Sequence, residues 1–336
     1  MGEWGETTHS NGCKRIRRSC FNVFMTPFPG SAEPSTEPTN TSRHDGIFHP
    51  YSTSSISHFD SSLSTSRTSS ISRSGSISRS DDDPLLGILP TAADADRPWL
   101  VWYSPDERIE LTGHVLSMWA AKTAGLLSAE AGGRPRVHVA LEPGWRALTW
   151  CLGTWLTGGR VLMGPAAPLG AAGADEPDAS VADRPEALAP RAGVQVLVPR
   201  ASLATGWDGE LPPLVLDGVA DVMPHPDAFA PVRTGAERTA LTLLAGGGGA
   251  VDSSRGELAA EAAASASAAA GARAVLVRVP DAAGAVRAAL AAWAGRATAV
   301  LLDAAAPDSL ARTAARQEGA VALAPRPTAA GTGSPG

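Results

Sequence analysis

The chain predicts an α/β fold, with mostly parallel sheet flanked by helices, behind a disordered N-terminal tail. Three observations carry this. Short apolar runs bounded by Gly, Pro and Asp alternate with longer Ala- and Leu-rich segments of helical period from about residue 84 onward, the layout of repeated strand–helix units. Paired glycines (Gly132-Gly133, Gly158-Gly159) close the helical segments. A four-glycine loop, Gly246–Gly249, joins an apolar run to an alanine-rich one.

Taken in order, residues 1–83 carry the composition of disorder. Roughly half of Ser52–Ser80 is serine, with Ser-Arg repeats such as ISRSGSISRS at 71–80, and such a segment cannot bury enough apolar surface to offset its chain entropy. The tail reads as dispensable or as an extension from a misplaced start, with an RNA-associated Ser-Arg arm as a third reading. The folded part then begins near Pro84. Trp99–Tyr103 is a strand. Thr112 caps a helix running to about Ala131, with Leu116, Trp119, Thr123, Leu126 and Leu127 on one face and Lys122 on a solvated one. Val137–Leu141 is a buried strand in which His138 is tolerated, Gly144–Thr157 a helix, and Val161–Met163 a strand. A loop covers about 165–192, and His225-Pro226-Asp227 is turn chemistry. Further strands are expected at Val194–Val198, Leu214–Asp217, Ala240–Ala245, Ala274–Val279, Ala297–Asp303 and Ala320–Leu323. Helices are expected from about Glu257, over Asp281–Ala294 and over Asp308–Glu318; residues 326–336 are a loose tail.

Charge and cysteine content exclude several classes. The 336-residue chain has a net charge of −6, and residues 81–336 alone hold 20 basic against 28 acidic side chains. An acidic body lacks the footprint of a nucleic-acid binder. Cys13, Cys20 and Cys151 form no CxxC, so neither a disulfide framework nor a zinc site is implied, and a cytoplasmic location fits. No uninterrupted apolar run reaches the ~18 residues that span a membrane. His44, Asp45 and His49 have no second cluster that would complete a metal site, and Ser104, His114 and His138 lack a nucleophile-elbow context. No catalytic residue and no metal ligand is assigned.

The glycine loop holds the chemistry worth testing. Strand, glycine loop and helix N-terminus together cradle phosphates, because glycines let backbone N–H groups approach and the helix end favours an anion. The loop fits neither GxxxxGK[ST], since no lysine follows its glycines, nor GxGxxG, since Val251 or Asp252 sits at the third glycine. A phosphate site and a plain connector both remain open on the pattern alone.

Order and spacing bring a family resemblance. Ile109–Leu127, with Leu111-Thr112, Leu116 and Ala124-xx-Leu127, resembles the first helix region of the acyl-adenylate-forming superfamily, which holds acyl-CoA synthetases and peptide-synthetase adenylation domains. Trp155–Pro165 (WLTGGRVLMGP) is similar to that family's leucine-x-Ala-Gly-Ala-x-(Val/Tyr)-x-Pro-Leu segment. The glycine loop then falls where the family carries Thr-Ser-Gly-Thr-Thr-Gly-x-Pro-Lys-Gly. Gly249 matches its first glycine, Asp252 its middle glycine, Ser254 its proline, Arg255 its lysine and Gly256 its last glycine. The resemblance covers about 84–325, matches the N-terminal portion of the family, and is nearest to a short actinobacterial group.

The resemblance implies Mg·ATP as cofactor, carboxylate activation as the chemistry, and Gly247, Gly248, Gly249, Ser253, Ser254, Arg255 and Gly256 as a degenerate phosphate loop. It also implies a limit. Asp252 would repel phosphate inside the loop, no Thr-Glu pair follows it, and no lysine follows Lys122. The expectation is a truncated homologue, catalytically inactive alone, with at most weak nucleotide or acyl-ligand binding or a protein-partner role. The alternative is half of a split ATP-dependent carboxylate ligase, completed by a protein partner that supplies a C-terminal lid. Nucleic-acid and membrane partners are not expected.

Overall fold

The computed structural model describes residues 83–166, 169, 176–245 and 249–323. The Ser-Arg tail, the 326–336 segment, Gly247 and Gly248 lie outside the described residues. The elements run β1 (Pro98–Tyr103), β2 (Arg108–Thr112), α1 (Gly113–Glu130), β3 (Arg136–Ala140), α2 (Trp145–Leu156), β4 (Arg160–Met163), β5 (Ala179–Ala182), β6 (Val194–Leu197) and β7 (Val215–Asp217). They continue with β8 (Thr239–Leu244), β9 (Ala250–Ser254), α3 (Arg255–Ala266), β10 (Ala274–Val279), α4 (Ala282–Ala294), β11 (Thr298–Asp303), α5 (Asp308–Glu318) and β12 (Val321–Leu323).

Two sheets form, ordered β12-β10-β11-β1-β2 and β7-β6-β5-β3-β4-β8-β9. Every pairing is parallel except β1 with β2 and β8 with β9, which close one edge of each sheet. The expected α/β class therefore holds, with the parallel interior needing cover on both faces. The five-stranded sheet shows how. Leu100, Trp102, Ala299 and Leu301 face the main core, whereas Val101, Tyr103, Val300 and Leu302 alternate to a second cluster beneath α5, the period-2 consequence of strand geometry.

Helix α2 lies in that main core. Every residue from Trp145 to Trp155 is buried, as expected for a helix with no solvent face. It packs against α1, β3, β4 and α4. The Trp155 indole is anchored as well as packed. Trp155 Nε1 donates to the Ala240 carbonyl at 2.9 Å, and Trp119 meets Trp145 edge-on with centroids 5.2 Å apart, an arrangement that suits ring quadrupoles. On the other sheet Trp293 Nε1 donates to the Trp99 carbonyl at 2.9 Å.

Caps fix the helix starts. Thr112 accepts from the Val115 N–H, Asp281 from Gly284, and Ser254 and Glu257 form a reciprocal capping box, each satisfying N–H groups a helix start leaves open. Gly319, at φ 58°, ends α5 in the left-handed conformation.

Three elements were not expected. β2 carries only two core residues, Ile109 and Leu111. β5 lies inside the anticipated 165–192 loop; its sequence ASVA has little strand character, but it is buried along its whole length between β3 and β6. β9 is discussed below. Two further expectations are corrected. Lys122 is not solvated: it is 6% exposed, donates to the carbonyls of Met223 and His225 and pairs with Asp227 at 2.6 Å. Its four-carbon stem lets the ammonium reach past the apolar face to the 223–227 turn. Asp83, assigned to the tail, is part of the fold, because it neutralises the buried Arg255.

Candidate functional site

Leu244 and Ala250 pair across the glycine turn, Thr242 opposes Asp252, and Leu241 opposes Ser253. The loop is thus the tip of an antiparallel hairpin, closed by the Ala245 N–H donating to the Gly249 carbonyl at 2.8 Å, rather than a direct strand-to-helix turn. The sequence AVDSS is too polar to announce a strand; β9 forms because β8 offers it an edge. The hairpin orients the side chains in question. Thr242 Oγ1 donates to Asp252 at 2.6 Å across the ladder, so this acid is held by its own hairpin.

The expected loop residues separate. Arg255 is 0% exposed; Nη1 meets Asp83 at 2.6 Å and Nη2 donates to the Trp155 carbonyl at 3.0 Å. Burial pulls its guanidinium below the ordinary arginine value, against the support of Asp83. It is a core ion pair, not a group facing the glycine tip. Ser254 is spent on the cap of α3, and the Gly256 N–H donates to the Ala236 carbonyl at 2.8 Å. Glu257, whose carboxyl is lowered by the Ser254 backbone N–H, completes that cap. Gly249 lies at the tip, and Ser253 is the side chain of the set that reaches the neighbouring cleft.

That cleft has a volume of about 1420 Å³. It opens beyond the carboxyl ends of β3, β4, β8 and β10, the place where ligands enter open α/β sheets, and α3 and α4 wall its far side. Gly164, at φ 135°, floors it; a Cβ there would stand 2.5 Å from the Leu244 carbonyl, so only glycine permits this approach. His138 supports the same corner. Its Nε2 lies 3.0 Å from the Gly164 carbonyl and its Nδ1 2.9 Å from Ser180 Oγ. A carbonyl only accepts, so Nε2 carries the proton and Nδ1 accepts from Ser180. Burial holds the imidazole below its usual pKa, neutral and structural.

Sequence reading missed the cleft's cations, Arg184, Arg278 and Arg287. Arg287 on α4 pairs with Glu261 and reaches Ser253 Oγ at 3.4 Å. Arg278 pairs with Asp308 at 3.0 Å and Arg184 with Asp183 at 3.0 Å. The Arg-Val-Pro-Asp run at 278–281, a strand end meeting a helix cap, was the available signal. No group of three or more His, Cys, Asp or Glu among the described residues is placed to hold a metal ion. Among the described residues of the cleft, Ser253 and cations already paired are a poor fit to Mg·ATP.

Solved structures share this architecture. A Brucella canis acyl-CoA synthetase superposes with a TM-score of 0.59 at 17% identity, over 72% of this chain and 47% of that one. An ATP-bound RpMatB-BxBclM chimera gives 0.55 at 19% identity, over 70% and 48%, and apo MatB from Rhodopseudomonas palustris gives 0.51 at 17%, over 65% and 44%. The fold is that of acyl-CoA synthetase-type adenylate-forming enzymes, and the chain spans about half the length of these structures.

By sequence the chain is similar to the TIGR03089 family protein of Mycobacterium tuberculosis, an actinobacterial protein, with 33% identity over 157 residues, 44% of this chain and 60% of that protein. No protein-family model matches the chain. No helix among the described residues is long and apolar enough to cross a membrane.

Proposed function

We propose that this chain is an adenylate-forming-enzyme homologue that retains at most a weak nucleotide or acyl-ligand site and does not complete adenylation alone. One observation carries the reading: the cations at the hairpin and in the cleft are already engaged by carboxylates. Arg255 is committed to Asp83, Arg287 to Glu261, Arg278 to Asp308 and Arg184 to Asp183. Adenylation needs positive charge free to meet the charge that grows on the phosphates, and each of these arginines would first have to leave its own partner. Ser253 supplies a neutral donor only. Purified full-length protein is expected to show no ATP–pyrophosphate exchange above blank across a panel of carboxylates; turnover by the chain alone would sink the reading.

A second reading, half of a split ligase completed by a lid-bearing protein partner, draws on the openness of the cleft and the 63% exposure of Val251 beside it. It requires measurable Mg·ATP binding by the chain itself. Calorimetry giving no heat at concentrations up to the millimolar range of weak sites would remove it.

A further inference from the structure

β7 ends the seven-stranded sheet, and the turn leading into it carries an unusual residue. The Val215 N–H donates to the Pro212 carbonyl at 3.1 Å, closing a β-turn with Pro213 and Leu214 at its centre. Leu214 stands at φ 66°. A turn with positive φ at its second central position is normally served by glycine or asparagine, because a larger side chain crowds its own carbonyl. The same leucine is 98% exposed. A single exposed leucine is ordinary on a protein surface. One that is also held in a left-handed backbone carries two costs, and at that exposure no contact among the described residues offsets either. The other non-glycine residues at positive φ are Arg134 and Arg296, whose exposed side chains are charged.

The charges around the turn indicate what would cover it. Residues 201–232 hold Asp208, Glu210, Asp217, Asp221 and Asp227 and neither lysine nor arginine. Asp227 is paired with Lys122, and Asp217 accepts from the N–H groups of Trp207, Val219 and Ala220. Asp208, Glu210 and Asp221 are exposed. The two nearest cations are engaged elsewhere: Arg200 with Glu142 and Asp183, and the buried Arg146 with the carbonyls of Ala201, Ser202 and Ala204. The Trp207 bond to Asp217, at 2.6 Å, ties the 201–211 segment to β7, and Trp207 and Leu211 remain half-buried on the cluster around Val215.

The sheet edge is poorly suited to an added strand. Pro212 and Pro213 have no N–H to offer, that of Val215 closes the turn, and that of Asp217 donates to Asp221 at 2.7 Å. A partner must therefore be met by side chains. We propose that this surface docks a basic amphipathic helix of a partner protein. Leu214 is the knob that enters between its apolar side chains, as a leucine enters the hole formed by residues one turn apart, and Asp208, Glu210 and Asp221 face its cations. The same acids repel nucleic acid and anionic membrane. None of these residues lines the large cleft, so the surface is separate from the site considered above.

The test uses the full chain and a fluorescein-labelled helical peptide of leucines and lysines, its leucines on one face, followed by anisotropy. Binding is expected for this peptide, not for its analogue with glutamate in place of lysine, and only weakly for oligolysine. Leu214→Gly removes the knob and suits the backbone, so the peptide weakens about tenfold while the urea midpoint stays level or rises. Asp208→Asn with Glu210→Gln weakens it roughly threefold. Oligolysine binding as tightly as the leucine–lysine peptide overturns the proposal, as does unchanged affinity in Leu214→Gly. A lower urea midpoint in Leu214→Gly would make the leucine a packing residue and also overturns it. Sedimentation showing a dimer that Leu214→Gly abolishes overturns it in favour of a second copy as the occupant.

Discussion

Replacing Asp83 by asparagine keeps the shape of the side chain and removes its charge. Arg255 would then be a guanidinium at 0% exposure with only neutral acceptors to meet it, the new amide oxygen and the Trp155 and Gly159 carbonyls. Its Nε already lacks a partner. Breaking a buried pair from one side costs about 3–5 kcal/mol, against a total stability of about 5–15 kcal/mol for a native protein. With a urea slope of about 3 kcal/mol per molar, the unfolding midpoint falls by roughly 1–1.7 M. The fluorescence of nine tryptophans, among them Trp155 beside the pair, reports it. Asp83→Leu combined with Arg255→Met removes both charges and recovers most of the loss, because an apolar pair of similar volume is often neutral or stabilising. The reasoning fails if Asp83→Asn lies within about 1 kcal/mol of wild type, or if the double variant is as unstable as the single one.

Lys122→Ala strands the Met223 and His225 carbonyls and frees Asp227; a loss of about 1–3 kcal/mol is expected by urea titration, with proteolytic cleavage appearing first near 223–227. His138 has its pKa lowered by burial, so the unfolded state binds its proton first. Its contribution is present above the ordinary value of about 6.5 and is lost as pH falls below it; His138→Gln should flatten the stability profile there, and an unchanged profile would exclude this histidine as its source. Burial raises the Cys151 thiol far above its ordinary range, and alkylation at this residue should follow global unfolding, as peptide mass spectrometry along a denaturant series would show.

What could be read from the sequence follows from which interactions are local. The Thr112 cap, the start of α4 at Asp281 and the α5 span Asp308–Glu318 were legible because cap residues and helical period act within a few residues. β5 and β9 were not. Their strand state is imposed by neighbours, β3 and β6 for the one and β8 for the other, while their own residues are small or polar. The site divided in the same way. The glycine turn and its position in the chain were visible. The destination of Arg255 was not, because Asp83 is 172 positions away and sits at the end of a serine-rich stretch. Lys122 misled for a related reason: a lysine in mid-helix suggests solvent unless the 223–227 turn is known to arrive above it.

The enclosure of α2 also bears on motion. A helix buried from Trp145 to Trp155, whose Gly153 would bring a Cβ within 2.7 Å of Thr123, cannot open without exposing the core it shares with β3, β4 and α4. Partial opening of either sheet near α2 would therefore require separating that helix as well. Amide hydrogen exchange in β3, β4 and α4 should converge on one opening free energy, while β12 and the β9 edge exchange through smaller local fluctuations.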